Sequence, residues 1–191
     1  MQRIGLFGGS FDPVHLGHLL AGRAASEQLG LSRLFFIPAA QSPFKPGTEP
    51  APAGQRLAML RLALAGHERY EVDDQEVQRG GVSYSIDTVR HYAARFPGAR
   101  LFYLIGADHA GQLSQWREAE ALAGLVEFVL ISRPGERTEL PGAPFRAHVL
   151  SGFPLALSSS EIRARVKAGL AIQELVAPAV GEFIRNNQLY L

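Results

Sequence analysis

The sequence predicts an α/β fold, with a doubly wound, Rossmann-like and mostly parallel sheet of five to six strands and helices on both faces. Short apolar segments of strand length alternate with longer segments that have helical spacing. Glycine and proline mark the turns between these segments. No internal repeat or low-complexity tract interrupts the alternation. Such a pattern is typical of a parallel sheet that is covered by helices on both sides.

The strands are predicted from apolar runs that end at turn residues, such as Pro38 after the second run. The predicted strands are Arg3–Phe7, Arg33–Ile37, Tyr70–Asp73, Arg100–Ile105 and Leu125–Ile131, with Ala147–Leu150 as a candidate sixth. In the usual doubly wound order, 3-2-1-4-5, the first and fourth strands are neighbours. Ligands of such folds bind in the crevice beyond the carboxyl ends of these two strands.

The helices are predicted from apolar spacing and from residues that cap helix ends. Leu16, Leu19 and Leu20 share one side of the first helix, and Gly30 is a plausible stop. The predicted helices are His15–Leu29, Gln55–Ala65, Ser85–Arg95, Trp116–Ala123, Ser158–Ala168 and Pro178–Asn186. The prolines and glycines from Pro43 to Gly54 predict a long loop.

Composition excludes several classes of protein. The formal net charge of +1 gives no support for a nucleic-acid surface, and the absence of cysteine excludes disulfides, thiolate catalysis and cysteine metal sites. No apolar run approaches the roughly 20 residues that a membrane span needs, and no signal peptide is recognisable. We therefore expect a cytoplasmic protein with one domain over residues 1–191 and neither a membrane nor a nucleic-acid partner. A homo-oligomer is left open.

The most informative segment runs from Gly8 to His18, where the first strand meets a glycine pair and then the first helix. Glycines at a strand end let backbone N–H groups approach a phosphate closely, and the start of a helix favours negative charge. His15 and His18 add imidazole donors that can become cationic near neutral pH. The pattern is neither the G-x-G-x-x-G fingerprint nor a Walker A loop. It predicts a place where the phosphates of a nucleotide bind.

The predicted topology supports the same conclusion independently. Gly106–Asp108 directly follows the fourth strand, as Gly8–His18 follows the first. Both segments are therefore expected to line the crevice between these strands. Within the first segment, Asp12-Pro13 is expected to form a plain turn.

Two motifs resemble those of a known superfamily. The segment Gly8-Gly9-Ser10-Phe11-Asp12-Pro13-x-His15-x-Gly17-His18 closely resembles the T/HxGH segment of the nucleotidylyltransferases. The segment Ser158-Ser159-Ser160-Glu161-Ile162-Arg163 resembles their second motif. From Ile4 to Tyr190 the chain resembles the bacterial nicotinate-nucleotide adenylyltransferase family. The resemblance implies a doubly wound nucleotidyltransferase domain whose C-terminal helical part, from about residue 158, completes the phosphate site.

The resemblance also implies a reaction. ATP and nicotinate mononucleotide would form nicotinate adenine dinucleotide and pyrophosphate, with Mg²⁺ carried mainly by the ATP phosphates. Because the nucleophile is already a phosphate anion, no general base is needed. The site must instead align two anionic reactants and disperse charge on the leaving pyrophosphate. No dedicated metal ligands are expected.

By this resemblance, the catalytic residues are His18, His15 and Arg163. The residues implied in ATP binding are Gly8, Gly9, Ser10, Phe11, His15, His18, Gly106, Asp108, Arg133, Ser158, Ser160 and Arg163. Plainer interpretations stay open for some of them. The serines can be simple helix caps, Asp108 can be the N-cap of the next helix, and Arg133 can be a charge on a surface turn.

The residues implied in binding nicotinate mononucleotide are Lys45, Tyr84, Ser85, Trp116 and Arg117. Trp116 would stack on the pyridine ring, while Tyr84, Ser85 and backbone amides near Arg117 would bind its carboxylate. Trp116 can also be a core residue. Phe44 replaces the histidine that the family usually has before Lys45.

Three other functions share parts of this pattern. They are adenylyl transfer to nicotinamide mononucleotide, adenylyl transfer to phosphopantetheine, and non-catalytic nucleotide sensing on the same fold. A site that pairs a carboxylate should reject the neutral amide, because its donors would be left without partners. A sensor would not need to keep His15, His18 and Arg163 together.

Overall fold

The computed structural model describes residues 1–43, 49–132, 135, 138–151 and 156–191. Within these residues, six strands form one sheet in the order β3-β2-β1-β4-β5-β6, and every neighbouring pair is parallel. The strands are β1 Arg3–Gly9, β2 Arg33–Pro38, β3 Tyr70–Val72, β4 Arg100–Gly106, β5 Val126–Ile131 and β6 Ala147–Val149. The predicted fold class and the predicted adjacency of the first and fourth strands are confirmed.

The described helices cover both faces of this sheet. They are α1 Leu16–Leu29, α2 Ala53–Leu64, α3 Gln75–Arg79, α4 Ser85–Arg95, α5 Ala119–Leu125, α6 Ser159–Lys167 and α7 Pro178–Asn186, together with a 3₁₀ helix at Ala107–Gln115. None of them has the combination of length and apolarity that crossing a bilayer requires. The first helix ends as predicted, with Gly30 in the left-handed conformation at φ 58°.

The prediction of one helix over Trp116–Ala123 is wrong at its start. Trp116 is extended and Glu118 is left-handed, so α5 begins only at Ala119. The preceding 3₁₀ helix, like α3, was not predicted. Its buried residues Ala110 and Leu113 are three apart, so they lie on one side of the 3₁₀ helix.

Two apolar cores lie on opposite faces of the sheet. The alternation of β1 sends Ile4 and Leu6 to one face and Phe7 to the other. The α1 face packs residues of α1, α2, α6 and α7, whereas the α4 face packs residues of α4, α5 and the 3₁₀ helix. Each fully buried large apolar side chain stabilises the fold by about 1.5–3 kcal/mol. Both cores hold the carboxyl ends of β1 and β4 in fixed positions.

A charged cluster lies at the opposite end of the sheet, where the strands begin. The buried Glu127 carboxylate accepts two hydrogen bonds from Nη2 of Arg100, at 2.7 and 3.0 Å, and lies 2.8 Å from Nε2 of His148. Burial opposes ionisation of Glu127, but the hydrogen bonds from His148 and Arg100 outweigh it and hold the pKa of this carboxyl below its ordinary value. The cluster is far from the predicted crevice, so it serves stability.

Glu127→Gln is expected to destabilise the protein by about 2 kcal/mol at pH 7, which lowers Tm by roughly 4–8 °C, because it removes a charge-assisted acceptor. A carboxyl with a depressed pKa contributes stability above its unfolded pKa and loses it as pH falls through the folded value. The difference in Tm between the two proteins should therefore shrink below about pH 4.5. Thermal unfolding measured from pH 7 to pH 3 checks this, and a constant difference would contradict it.

Candidate active site

A cavity of about 610 Å³ opens at the carboxyl ends of β1 and β4. It gathers residues that are far apart in the sequence, namely Gly8 to Asp12, His15, His18, Gly106, Asp108, Ser158 to Ser160 and Arg163. Ala39 to Ser42, after β2, line it as well. The structure thus joins the three segments that the sequence singled out. Lys45 and Arg133 lie outside the described residues.

The loop after β1 is held in an uncommon conformation. A Cβ on Gly8 would lie 2.6 Å from the Tyr103 hydroxyl, so only glycine fits there without displacing Tyr103. Phe11 has φ 47°, a left-handed conformation that non-glycine residues rarely adopt. Its buried ring packs edge-on against Phe7 and His18, with ring centroids 5.6 and 5.0 Å apart. This burial offsets the backbone strain and keeps the loop in one shape.

The two histidines stack at the start of α1. Their ring centroids are 3.7 Å apart, and the backbone N–H of His15 donates to Nδ1 of His18 at 3.2 Å. A ring nitrogen that accepts a hydrogen bond carries no proton, so this bond leaves Nε2 as the donor atom of the His18 ring. The arrangement therefore directs the donor Nε2 of His18 away from His15, and His18 lines the cavity.

Asp12 is the centre of the hydrogen-bond network under this loop. Its buried Oδ1 accepts from the Ala51 backbone N–H at 3.1 Å and from the Tyr190 hydroxyl at 2.7 Å. Nη1 of Arg163 donates to the Asp12 carbonyl oxygen at 2.8 Å and lies 3.7 Å from Oδ2. The predicted turn at Asp12-Pro13 is present, but its carboxylate also ties the start of α2 and the C-terminal Tyr190 to the loop. Burial foremost, and then Asp12, raise the pKa of Tyr190.

Arg56, like Asp12, has a structural role that the sequence analysis did not predict. This fully buried arginine donates from Nη1 to the carbonyls of Ser10 and Ala39, at 2.8 and 2.9 Å, and from Nε to that of Ala51. It thereby joins the motif loop to the segment after β2. Burial lowers the pKa of Arg56, while the charge of Asp12 opposes that change. The sequence did contain a signal for the burial of Arg56, since helical spacing puts it on the same side of α2 as Met59, Leu60 and Ala63.

The serines at the start of α6 have different roles. Ser158 accepts from the Glu161 backbone N–H at 3.1 Å, so its interpretation as a helix cap is confirmed. Ser160 accepts from Nη2 of Arg163 at 3.2 Å and orients that guanidinium. Ser159, which was not predicted, donates to the Pro13 carbonyl at 2.9 Å and docks the helix start onto the motif loop.

Asp108 also lines the cavity, just after β4. The alternative role of Asp108 as an N-cap is wrong, because Gly106 occupies that position and no side chain caps the 3₁₀ helix. The Asp108 carboxylate is exposed, and a Cβ on Gly106 would lie 2.4 Å from its Oδ1. Its next neighbour His109 also lines the cavity. Among the described residues, no cluster of three or more His, Asp or Glu side chains could hold a metal ion.

The residues expected at the pyridine end form a second group, beside the cavity and not in its lining. The Arg117 guanidinium lies 4.6 Å from the centre of the Tyr84 ring. Trp116 is half-buried and meets Tyr103 and Phe128 edge-on, so its interpretation as a core residue is realised in part. Ser85 is the first residue of α4, and the buried Tyr103, whose hydroxyl reaches under Gly8, lies in the core on the α4 face.

Comparison with known proteins agrees with this geometry. The cytidylyltransferase-like family model matches residues 6–165. A relative from Opitutus terrae, named a probable nicotinate-nucleotide adenylyltransferase, is 44% identical over 193 residues, which cover 99% of this chain and 98% of that relative. The chain belongs to the nicotinate-nucleotide adenylyltransferase family. A second member of the family, from Gemmatimonas aurantiaca, is 41% identical and covers 99% of this chain and 92% of its own length.

Solved structures show the same fold at low sequence identity. The nicotinic acid mononucleotide adenylyltransferase of Plasmodium falciparum, complexed with NaAD, superposes with a TM-score of 0.83 at 17% identity and covers 100% of this chain and 98% of its own. The same enzyme complexed with APC gives a TM-score of 0.81. This likeness concerns the fold, whereas the family is shown by the closer sequences.

Tyr190→Phe is expected to lower the free energy of unfolding by about 1–2 kcal/mol, because Asp12 then loses a donor while its carboxylate stays buried. Urea unfolding measures the change. Tyr70→Phe is the matched control, since Tyr70 lies in β3 and stacks on His67, away from Asp12. Equal stability of Tyr190→Phe and the parent protein would contradict the role given to this hydrogen bond.

Proposed function

We propose that the protein transfers the adenylyl group of ATP to nicotinate mononucleotide, giving nicotinate adenine dinucleotide and pyrophosphate in NAD biosynthesis. The observation that carries this proposal is the full-length similarity to relatives named for that activity, at 35–44% identity. The cavity supports it, because it gathers the donors that a polyphosphate needs. Mg²⁺ belongs to the substrate here, since this ion usually stays on nucleotide phosphates and water.

The reaction is one in-line displacement at the α-phosphorus of ATP. An oxygen of the nicotinate mononucleotide phosphate forms the new P–O bond, and the bond from the α-phosphorus to the bridging oxygen breaks. The electron pair leaves with pyrophosphate, so no proton has to be removed from the nucleophile. The protein therefore contributes alignment and charge dispersal.

In this proposal the ATP phosphates bind between the motif loop and the start of α6. Backbone N–H groups near Gly9, Ser10 and Phe11, together with Nε2–H of His18, donate to the polyphosphate. Arg163 supplies the positive charge, and its hydrogen bonds to the Asp12 carbonyl and to Ser160 hold the guanidinium in place. His15 supports His18 by ring stacking and by its backbone N–H.

The acceptor binds on the other side of Gly8 in this proposal. Trp116 offers a half-buried ring face next to His109, and Tyr84, Ser85 and Arg117 surround the position of the pyridine carboxylate. Two reactants that approach from opposite sides of β1 place the acceptor phosphate and the α-phosphorus close together. Gly106 and Asp108 bind the adenosine side, and Lys45 and Arg133 are further basic candidates.

Release of pyrophosphate distinguishes this function from the alternatives. With Mg²⁺ and ATP, we expect release in the presence of nicotinate mononucleotide, much slower release with nicotinamide mononucleotide, and none with phosphopantetheine. No release with nicotinate mononucleotide would refute the proposal and favour nucleotide sensing. Equal rates with the two mononucleotides would refute only the preference for the acid.

His18→Ala should lower kcat by about 10²–10³-fold, because it removes a donor that acts on charge developing in the transition state. Steady-state kinetics with both substrates measures the change. Exposed His91→Ala, on α4 and outside the cavity, is the control and should keep parental kinetics. A His18→Ala protein that turns over at the parental rate would exclude this role.

A further inference from the structure

The turn between the 3₁₀ helix and α5 consists of Trp116, Arg117 and Glu118. Glu118 has φ 51° there, a left-handed conformation that is unfavourable for a residue with a Cβ. Its side chain does not cap α5, although Glu118 occupies the N-cap position of that helix. A strained conformation of this kind persists only where surrounding contacts hold it. The contacts of the Glu118 carboxylate therefore show what fixes the turn.

Arg90 of α4 holds the Glu118 carboxylate by two hydrogen bonds. Nη1 of Arg90 donates to Oε1 of Glu118 at 3.0 Å, and Nη2 donates to Oε2. Two parallel bonds between a guanidinium and a carboxylate fix orientation as well as distance. The hydrogen bond from Arg90 is also the main cause that lowers the pKa of Glu118, so this carboxylate stays charged near neutral pH.

The helix that carries Arg90 also carries part of the proposed acceptor site. Tyr84 is the N-cap of α4, and Ser85 is its first residue. The Arg117 guanidinium lies 4.6 Å from the centre of the Tyr84 ring. The turn is therefore attached to α4 at two places, at the start of the helix through Arg117 and six positions further along through Glu118.

Trp116 is the residue of this turn that faces the rest of the site. Its half-buried ring meets Tyr103 and Phe128 edge-on. The ring of His109, which lines the cavity, lies 6.3 Å from that of Trp116. Since only one residue separates Trp116 from Glu118, the backbone direction at Glu118 limits where the indole ring can lie.

We propose that the ion pair of Arg90 and Glu118 positions the turn 116–118 against Tyr84 for binding of the acceptor. This inference rests on the proposed function, which assigns the acceptor to these residues. The pair acts through the turn and touches no reactant itself. Breaking it should therefore weaken binding of nicotinate mononucleotide, while the ATP half, held by the separate contacts of Asp12, stays intact.

Tryptophan fluorescence tests the positioning without any ligand, because Trp116 is the only tryptophan in the sequence. In Arg90→Ala the turn loses its attachment, so the Stern–Volmer constant for quenching by acrylamide should rise roughly twofold. Arg33→Ala is the matched control, since it breaks a similarly exposed ion pair with Glu71 at the end of the sheet where the strands begin. It should leave the quenching unchanged. Parental quenching in Arg90→Ala would overturn the proposal.

Steady-state kinetics tests the consequence for the acceptor. Arg90→Ala should raise KM for nicotinate mononucleotide about three- to fivefold and leave KM for ATP within about twofold. The expected change is modest, because the two side chains are 50% and 43% exposed and exposed ion pairs are weak. A rise of equal size in both KM values, or in neither, would contradict a role in positioning the acceptor.

Glu118→Gly separates positioning from plain stability. Glycine adopts the left-handed conformation readily, so this change relieves the backbone strain while it removes the carboxylate. We expect a Tm close to the parental value together with the same rise in KM for nicotinate mononucleotide as in Arg90→Ala. A parental KM in Glu118→Gly would show that the ion pair only supports a strained backbone, and the positioning role would be wrong.

A double-mutant cycle tests whether Arg90 acts through Glu118. The protein with both Arg90→Ala and Glu118→Gly should have about the same KM for nicotinate mononucleotide as either single variant, because residues that act through one contact are not additive. Effects that multiply would show two independent roles and would overturn the proposal.

The outcomes also separate this inference from the proposed function. A parent protein that releases no pyrophosphate with nicotinate mononucleotide refutes the function, whereas the acrylamide comparison still decides whether the ion pair holds the turn. An active parent whose Arg90→Ala and Glu118→Gly variants keep its KM for nicotinate mononucleotide refutes the positioning role alone.

Discussion

The candidate site depends on one buried carboxylate. Asp12 lies in the loop after the first strand, yet its carboxylate is paired with the Ala51 backbone N–H just before α2, with Arg163 of α6 and with Tyr190. Each donor satisfies part of a charge that would otherwise be costly away from water. The conformation of this loop, the orientation of Arg163 and the packing of the C-terminal part therefore all depend on the Asp12 carboxylate.

Arg56 provides the complementary charge. It is buried, interacts electrostatically with Asp12, and donates hydrogen bonds to three backbone carbonyls. Removing one of the two charges would leave the other uncompensated in a low-dielectric environment. The resulting loss of stability is usually larger than the net stabilisation that the charge pair provides. Neither residue needs to touch a reactant. Together they hold the backbone so that its N–H groups can face an anion.

The sequence predicted the fold well because the signals were local and repeated. Apolar runs, Gly30 and the serines before α6 each specify structure without distant partners. The crevice followed from topology, since carboxyl ends of neighbouring parallel strands must meet. Asp12 and Arg56 were not recognised, because their roles depend on contacts between residues up to 178 positions apart. The 3₁₀ helix was missed because its three-residue repeat is too short to distinguish from a turn.

The hydrogen bond from Tyr190 to Asp12 has a consequence for synthesis of the protein. A chain grows from its amino end, so the motif loop exists long before Tyr190 is added. Contacts between such distant residues form late, because loop closure must come first. Until then the Asp12 carboxylate is hydrated, and the loop lacks the hydrogen bond from Tyr190. The loop after the first strand therefore reaches its final conformation only after Tyr190 has been synthesised and has folded back onto it.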